Sequence, residues 1–177
     1  MNRTIKPSTD RAIYRLLDKV SPVDYDCGNL CNAACCAKDS GDDMGIFLMP
    51  GEESVHNKND WKNWTEENPE ECGFPESWDA PVCFVKCKTP PFCDRNKRPV
   101  QCRSYPLVPH LKPDGELIMV YNDYDLPYTC PLIEDEIPLN DDFVQATATV
   151  WKHLIRDQRI FDLVLEDSIA RESDENK

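Results

Sequence analysis

Residues 27–36 read CGNLCNAACC and residues 83–102 read CFVKCKTPPFCDRNKRPVQC, so two short stretches hold eight of the ten cysteines in this 177-residue chain. The cysteine content lies below the roughly 8–10% that marks a disulfide scaffold. The first ten residues, MNRTIKPSTD, contain no apolar segment of the kind that a secretory signal requires. We therefore expect a cytoplasmic protein in a reducing compartment, where clustered cysteines indicate metal ligation.

The charge balance narrows the choice of partners. Lys and Arg number 20 against 33 Asp and Glu, which gives a formal net charge of −13. Such an acidic chain is a poor general ligand for nucleic acid or anionic lipid. It also lacks an apolar run near the roughly 18 residues that a membrane span needs. We expect no nucleic acid and no membrane among its partners, and the sequence does not identify a protein partner.

Periodicity and turn residues predict an α+β fold in a single domain over residues 1–177. Apolar positions with helical spacing predict an N-terminal helix at 8–20 and a C-terminal helix at 141–170, followed by a frayed tail at 171–177. Residues 46–53 read as a strand followed by a short helix, and the KPDG sequence at 112–115 predicts a hairpin. We interpret the Trp-rich stretch 57–79 as a loop-rich insertion. The region 27–132 would be a small, irregular, metal-stapled core.

The cysteine spacing excludes several familiar sites, because no two cysteines are separated by two residues. Zinc ribbons, thioredoxin-type redox pairs and bacterial ferredoxins each depend on a CxxC loop. The spacing Cx3Cx3C resembles the radical-SAM pattern, but its last interval is one residue too long and no barrel-sized run of strands and helices follows.

The first cysteine group can present three sulfurs on one side. At 100° per residue, Cys27, Cys31 and Cys35 would share one face of a helix, and Cys36 would point elsewhere. Gly28 weakens the helical reading. Three thiols cannot complete a tetrahedral site, so another segment must contribute.

The remaining cysteines offer candidates of different quality. Cys83 and Cys87 share one face in either a strand or a helix, with buried packing as the alternative reading. Cys93 and Cys102 flank a basic loop, and Cys130 precedes a proline that fixes the chain after a ligand. Cys72 is the most isolated, and a ligand role for it, for Cys87 and for His110 stays open.

A basic segment coincides with the second cysteine group. Residues 86–112 contain seven Lys or Arg and one Asp, a net charge of +6 in an acidic chain. Thiolate-ligated metals and iron–sulfur clusters are anionic, so Arg98 and Arg103 could offset that charge and donate hydrogen bonds to sulfur. An anion site for phosphate or carboxylate and a solvated basic loop are the alternatives.

Over roughly residues 27–109, the segments CGNLCNAACC, IFLMPGEE, CFVKC and CDRNKRPVQCRSYP resemble the cysteine-cluster (CxxCxxCC-type) family of zinc- or iron-chelating proteins. The most specific piece is RPVQCRSYP at 98–106, and the opening spacing is longer than the family pattern. The resemblance implies the ligand set Cys27, Cys31, Cys35, Cys36, Cys83, Cys93 and Cys102, accompanied by Arg98, Arg103 and Tyr105. We add Cys130 to the candidate ligands because it precedes a proline, not because of the resemblance. A related cysteine region in flagellin lysine methylases implies an iron–sulfur role.

Three functions follow as hypotheses. The first is a metal-binding protein with one or two thiolate-rich sites, holding an iron–sulfur cluster in preference to zinc, for metal handling, electron transfer or modification of a partner. The second is a structural zinc module that acts as a protein-interaction domain. The third is a cluster-dependent group transferase with Tyr105 near its substrate. No Gly-rich phosphate loop, HExxH or GxSxG motif occurs, which argues against conventional hydrolases.

Overall fold

The structure is a computed structural model that describes residues 7–36, 45–88, 97–124 and 126–175. It confirms the α+β prediction. A three-stranded antiparallel sheet has the order β1-β3-β2, with strands at Ile46–Phe47 (β1), Trp61–Glu67 (β2) and Val82–Cys87 (β3). Leu107–Leu111 (β4) and Leu117–Tyr121 (β5) form a separate antiparallel hairpin. Gly115 in its turn has φ +84°, the left-handed conformation that the PDG sequence predicts.

Six helices accompany the strands within the described residues. Their bounds are Pro7–Leu17 (α1), Gly28–Cys31 (α2), Val100–Ser104 (α3), Pro131–Glu134 (α4), Asp141–Leu154 (α5) and Gln158–Glu175 (α6). Two single 3₁₀ turns follow β1, at Glu52–Ser54 and Lys58–Asp60. The predicted strand and short helix at 46–53 are thus present as β1 and the first of these turns.

The main apolar core lies where α1, α5 and α6 meet the hairpin. Leu17, Phe143 and Ile160 are fully buried, and Leu111 and Leu117 close the core from β4 and β5. A smaller cluster surrounds Val85 in the three-stranded sheet. Burying these side chains supplies the main driving force for the fold.

Several predicted boundaries differ from the structure. The helix expected over 141–170 is two helices, because the Asp157 carboxylate accepts the Arg159 backbone N–H at 3.1 Å and caps a new helix. The helix α6 continues to Glu175, so most of the tail that was predicted to fray from residue 171 is helical. The N-terminal helix ends at Leu17 rather than at residue 20.

The Trp-rich stretch also differs from its prediction. The sequence predicted loop over 57–79, but residues Trp61–Glu67 form the edge strand β2, paired with β3. Trp61 is buried against Val85, so cross-strand packing supplies the order that the irregular sequence pattern did not indicate.

Among the described residues, no helix is both long and apolar enough to cross a bilayer.

Candidate functional site

An open cavity of about 830 Å³ lies between α3, the start of α5 and the chain that follows α1. We call it the thiol pocket, because its lining includes Cys27, Cys35 and Cys102. Residues 19–27 form one side and the first turn of α5 forms another. Charged residues of both signs complete the lining: Lys19, Arg98, Arg103, Asp24, Asp26, Asp141 and Asp142.

The α3 wall of the pocket is held by a buried carboxylate. Glu52 is 2% exposed, and its oxygens accept the backbone N–H of Met49 at 2.7 Å and that of Val100 at 2.8 Å. The Tyr14 hydroxyl from α1 donates to the same carboxylate. Burial raises the pKa of Glu52, and these donors oppose the rise. Glu52 therefore joins α1, the turn after β1 and the start of α3.

Arg103 fixes α3 to α1 from the other end. Its guanidinium is fully buried, pairs with Asp18 and stacks over the Tyr14 ring at 4.4 Å from the centroid. Its Nη2 is buried and finds no hydrogen-bond partner within the described part of the chain. Two of its donors anchor α3, since Nη1 donates to Asp18 and Nε donates to the Arg98 carbonyl.

The first cysteine group is only partly helical. The helix α2 ends at Cys31, because Asn32 and Ala33 both adopt left-handed conformations with φ of 52° and 51°. A turn follows, in which Cys36 N–H donates to the Ala33 carbonyl at 2.7 Å. The single helical face predicted for Cys27, Cys31 and Cys35 therefore does not form.

The thiols are nevertheless neighbours. Burial raises the pKa of the Cys27 thiol, and repulsion from Cys35, Asp26, Cys130 and Cys31 adds to the rise. Three of these four groups are cysteines, one of them about a hundred residues distant in the chain. The fold thus brings Cys130, on the segment before α4, to the group at 27–36.

Two tyrosines lie among these thiols. The Tyr105 and Tyr128 rings meet edge to face with centroids 6.2 Å apart, and the Tyr105 hydroxyl lies beside the Cys130 thiol. Burial raises the pKa of Tyr128 to about 12, with Cys35, Cys102 and Cys130 contributing. The Tyr105 pKa is also raised, chiefly by burial and then by Tyr128 and Cys130. Both phenols are therefore neutral near pH 7.

The thiol cluster consists of Cys27, Cys31, Cys35, Cys102 and Cys130. Their side chains are half-buried apart from Cys35, which is exposed. Within the part of the chain that the structure describes, no three His, Cys, Asp or Glu side chains are positioned as a ready set of metal ligands. The thiols are thus close to one another without converging on a single point.

The other predicted ligands lie apart from this cluster or beside it. Cys36 contacts Cys35, with the two sulfurs 3.8 Å apart. Cys83 and Cys87 pack with Val85 in the smaller apolar cluster, which matches the alternative reading of buried packing. Burial raises the pKa of the Cys83 thiol, and repulsion from the Glu53 and Glu66 carboxylates raises it further. Cys93 lies outside the described residues.

The basic segment is dispersed by the fold. Lys97 pairs with Asp60 at 3.2 Å, and Lys112 pairs with Glu116 at the hairpin turn. Of the positively charged residues in the segment, only Arg98 and Arg103 are among the described residues that line the thiol pocket. His110 lies beside α6, 3.2 Å from an Arg171 nitrogen, so the structure places it with α6.

Sequence reasoning missed Tyr128 and the Glu52 anchor. Tyr128 stands two residues before Cys130, and an aromatic so close to a candidate ligand was the available signal. Glu52 lies in the short helix that the sequence predicted within 46–53, and its burial depends on contacts with α1 and α3 that are distant in sequence.

Comparison with known proteins yields no matching family model, curated protein or solved structure.

Proposed function

We propose that the protein binds a metal through the thiol cluster, as an iron–sulfur centre in preference to zinc. The observation that supports this most is that Cys35, Cys130 and Cys31 all raise the pKa of Cys27 by charge repulsion, which puts four thiols from two distant segments in one neighbourhood. Such thiols are a donor set for a soft metal. Thiols scattered over several segments suit a cluster better than an isolated zinc knuckle. A reducing cytoplasm, where we place the protein, would keep them available.

Binding requires the thiols to turn toward a common point. Cys27, Cys31 and Cys130 are half-buried and Cys35 is exposed, so rotation of these side chains does not require the core to open. A cation would also reverse the electrostatics, because thiolates that repel one another are each stabilised by the metal between them. Cys102, on the anchored helix α3, supplies a fifth donor at the wall of the same pocket.

The surroundings suit an anionic centre. Arg98 and Lys19 line the pocket and can offset the negative charge that four thiolates leave on a divalent metal. The neutral Tyr105 hydroxyl lies beside Cys130, where it can donate a hydrogen bond to a thiolate. Such donors tune the potential of an iron–sulfur cluster, which agrees with a role in electron transfer or metal handling.

The test is the iron, zinc and acid-labile sulfide content of protein purified anaerobically without a metal-binding tag, together with its visible spectrum. Brown protein that contains iron and sulfide supports the cluster. Colourless protein with stoichiometric zinc would contradict the iron–sulfur centre and favour the structural zinc module. Protein that contains neither metal, and takes up neither on reconstitution, would refute the proposal.

Matched serine variants locate the site. Cys130→Ser should lower the metal content, because it removes the donor that arrives from the second segment. Cys83→Ser and Cys72→Ser should leave it unchanged, since Cys83 packs beside Val85 and Cys72 is exposed on a turn. Equal metal content in Cys130→Ser and Cys72→Ser would show that the thiol cluster is not the site.

The group-transferase hypothesis has one supporting feature, the pocket that opens beside Tyr105 and the thiols. It predicts that Tyr105→Phe abolishes transfer to a partner protein while the metal content is preserved. Full transfer by the phenylalanine variant would remove Tyr105 from that role.

A further inference from the structure

Cys35 and Cys36 are adjacent in the chain and their sulfurs lie 3.8 Å apart, close to van der Waals contact. The turn that presents them begins with two residues in left-handed conformations, Asn32 and Ala33. Cys35 is exposed and lines the thiol pocket, and Cys36 is half-buried. The pair can therefore be reached from outside the protein.

Local geometry disfavours a disulfide within this pair. Neighbouring Cα atoms across a trans peptide are about 3.8 Å apart, whereas disulfides usually join Cα atoms about 4.4–6.8 Å apart. The sulfurs would also have to approach from 3.8 Å to about 2.05 Å. One atom inserted between the sulfurs removes both demands, because each sulfur then bonds to the inserted atom.

We propose that Cys35 and Cys36 form a binding site for trivalent arsenicals, in which one arsenic atom bonds to both sulfurs. Arsenic(III) is a soft, thiol-seeking centre. In the reaction with an organoarsenic dihydroxide, each As–O bond is replaced by an As–S bond, and each thiol proton leaves with a hydroxide as water. Two waters are released, arsenic stays trivalent, and no oxidant or reductant is needed.

The pocket accounts for the third substituent on arsenic. Its volume of about 830 Å³ exceeds the space that a phenyl ring occupies, and Cys35 lies on its lining. The inference does not rest on metal binding by the thiol cluster, because it needs only the adjacent pair and access to it.

The probe is phenylarsine oxide, titrated into the reduced 177-residue chain and followed by intact mass and by loss of thiols that react with a maleimide. We expect one arsenical per chain and the loss of two reactive thiols. The adduct should resist an excess of a monothiol and be reversed by 2,3-dimercaptopropanol. Cys35→Ser and Cys36→Ser should each weaken binding at least tenfold, because a single As–S bond remains.

Cys72→Ser is the matched control, because Cys72 is exposed like Cys35 and lies outside the thiol cluster, and it should bind as the wild type does. Circular dichroism verifies that each variant is folded. Proteolysis of the wild-type adduct gives a second readout that needs no variant, since the arsenical should be found on the fragment 20–38. Wild-type binding that survives in Cys36→Ser, an adduct on another fragment, or no stable adduct would each overturn the proposal.

Discussion

Replacing Asp10 by Asn probes a buried acidic contact between α1 and the turn after β1. Asp10 is 2% exposed, and its Oδ2 has no hydrogen-bond partner among the described residues. The oxygen lies so close to Gly51 that a Cβ there would sit 3.0 Å from it. Burial raises the Asp10 pKa from 3.8 to about 6, with repulsion from Glu52 and Glu53 adding to the rise. The folded protein therefore favours the neutral acid.

The pKa shift gives the size of the effect. A rise from 3.8 to about 6, at about 1.36 kcal/mol per unit, corresponds to roughly 3 kcal/mol of lost stability once the carboxyl is ionised. The dipole of α1 favours a negative charge in its first turn by about 0.3–1 kcal/mol. We expect Asp10→Asn to raise the free energy of unfolding by about 2 kcal/mol at pH 7.5.

The sign follows from the raised pKa. The neutral carboxyl contributes its full stability below pH 3.8, and this contribution is lost as the pH rises through about 6. The advantage of the variant over the wild type should therefore be small at pH 4 and complete above pH 7. Because any difference in hydrogen bonding between Asn and neutral Asp is present at both values, the change with pH isolates the charge.

Urea denaturation at pH 4 and pH 7.5 measures this difference directly. Asp135→Asn is the matched control, because it removes the same charge from an exposed position. A variant whose advantage over the wild type is equal at both pH values would refute the reasoning, and so would an equal gain from Asp135→Asn.

Three further outcomes can be measured. Cys102→Ser should lower metal content relative to the wild type while Cys72→Ser does not, by metal analysis. Leu17→Ala should lower the free energy of unfolding by about 2–5 kcal/mol in urea, because the leucine is fully buried. The His56 ring should titrate near pH 4 by NMR, since burial and then Arg103 lower its pKa from 6.5 to about 4. The neutral ring therefore contributes its full stability above pH 6.5, and this contribution is lost as the pH falls from 6.5 through about 4. An unchanged metal content, a stability within 1 kcal/mol of the wild type, or a His56 pKa near 6.5 would contradict these expectations in turn.

Short sequence patterns predicted the elements that depend on neighbouring residues. The hairpin depends on the PDG turn and on alternating side chains, and α1 depends on its apolar spacing; both are present in the structure. The break between α5 and α6 was missed, although Asp157 is a cap residue, because the apolar stripe continues across it. A stripe reports which face is buried and does not report where one helix ends.

The cysteines show where sequence reasoning stops. Spacing placed Cys27, Cys31 and Cys35 on one face of a helix, but α2 ends at Cys31 and that face does not form. Cys130 joins this group only because the whole fold returns that segment to it. Cys83 is spaced from Cys87 as Cys27 is from Cys31, but the pairing of β3 with β2 places Cys83 beside an apolar cluster. Spacing identifies which residues can share a face, and tertiary packing decides what that face meets.

The parts of the thiol pocket differ in how firmly they are held, and this gives a last prediction. The α3 wall is tied through Glu52 to α1, whereas the four residues of α2 include no buried side chain. Cys130 likewise precedes a helix of only four residues. A metal bound by the thiol cluster would therefore order the cysteine segments more than it orders the core.

Hydrogen exchange with and without the metal can detect this difference. Removing the metal should deprotect amides at 27–36 and around Cys130, while the amides of α5 keep their protection, because its Phe143 and Val150 side chains are buried. Deprotection of α5 to the same extent would mean that the metal holds the whole domain together. The proposed centre would then be a structural staple, and its chemistry would have to be sought elsewhere on the molecule.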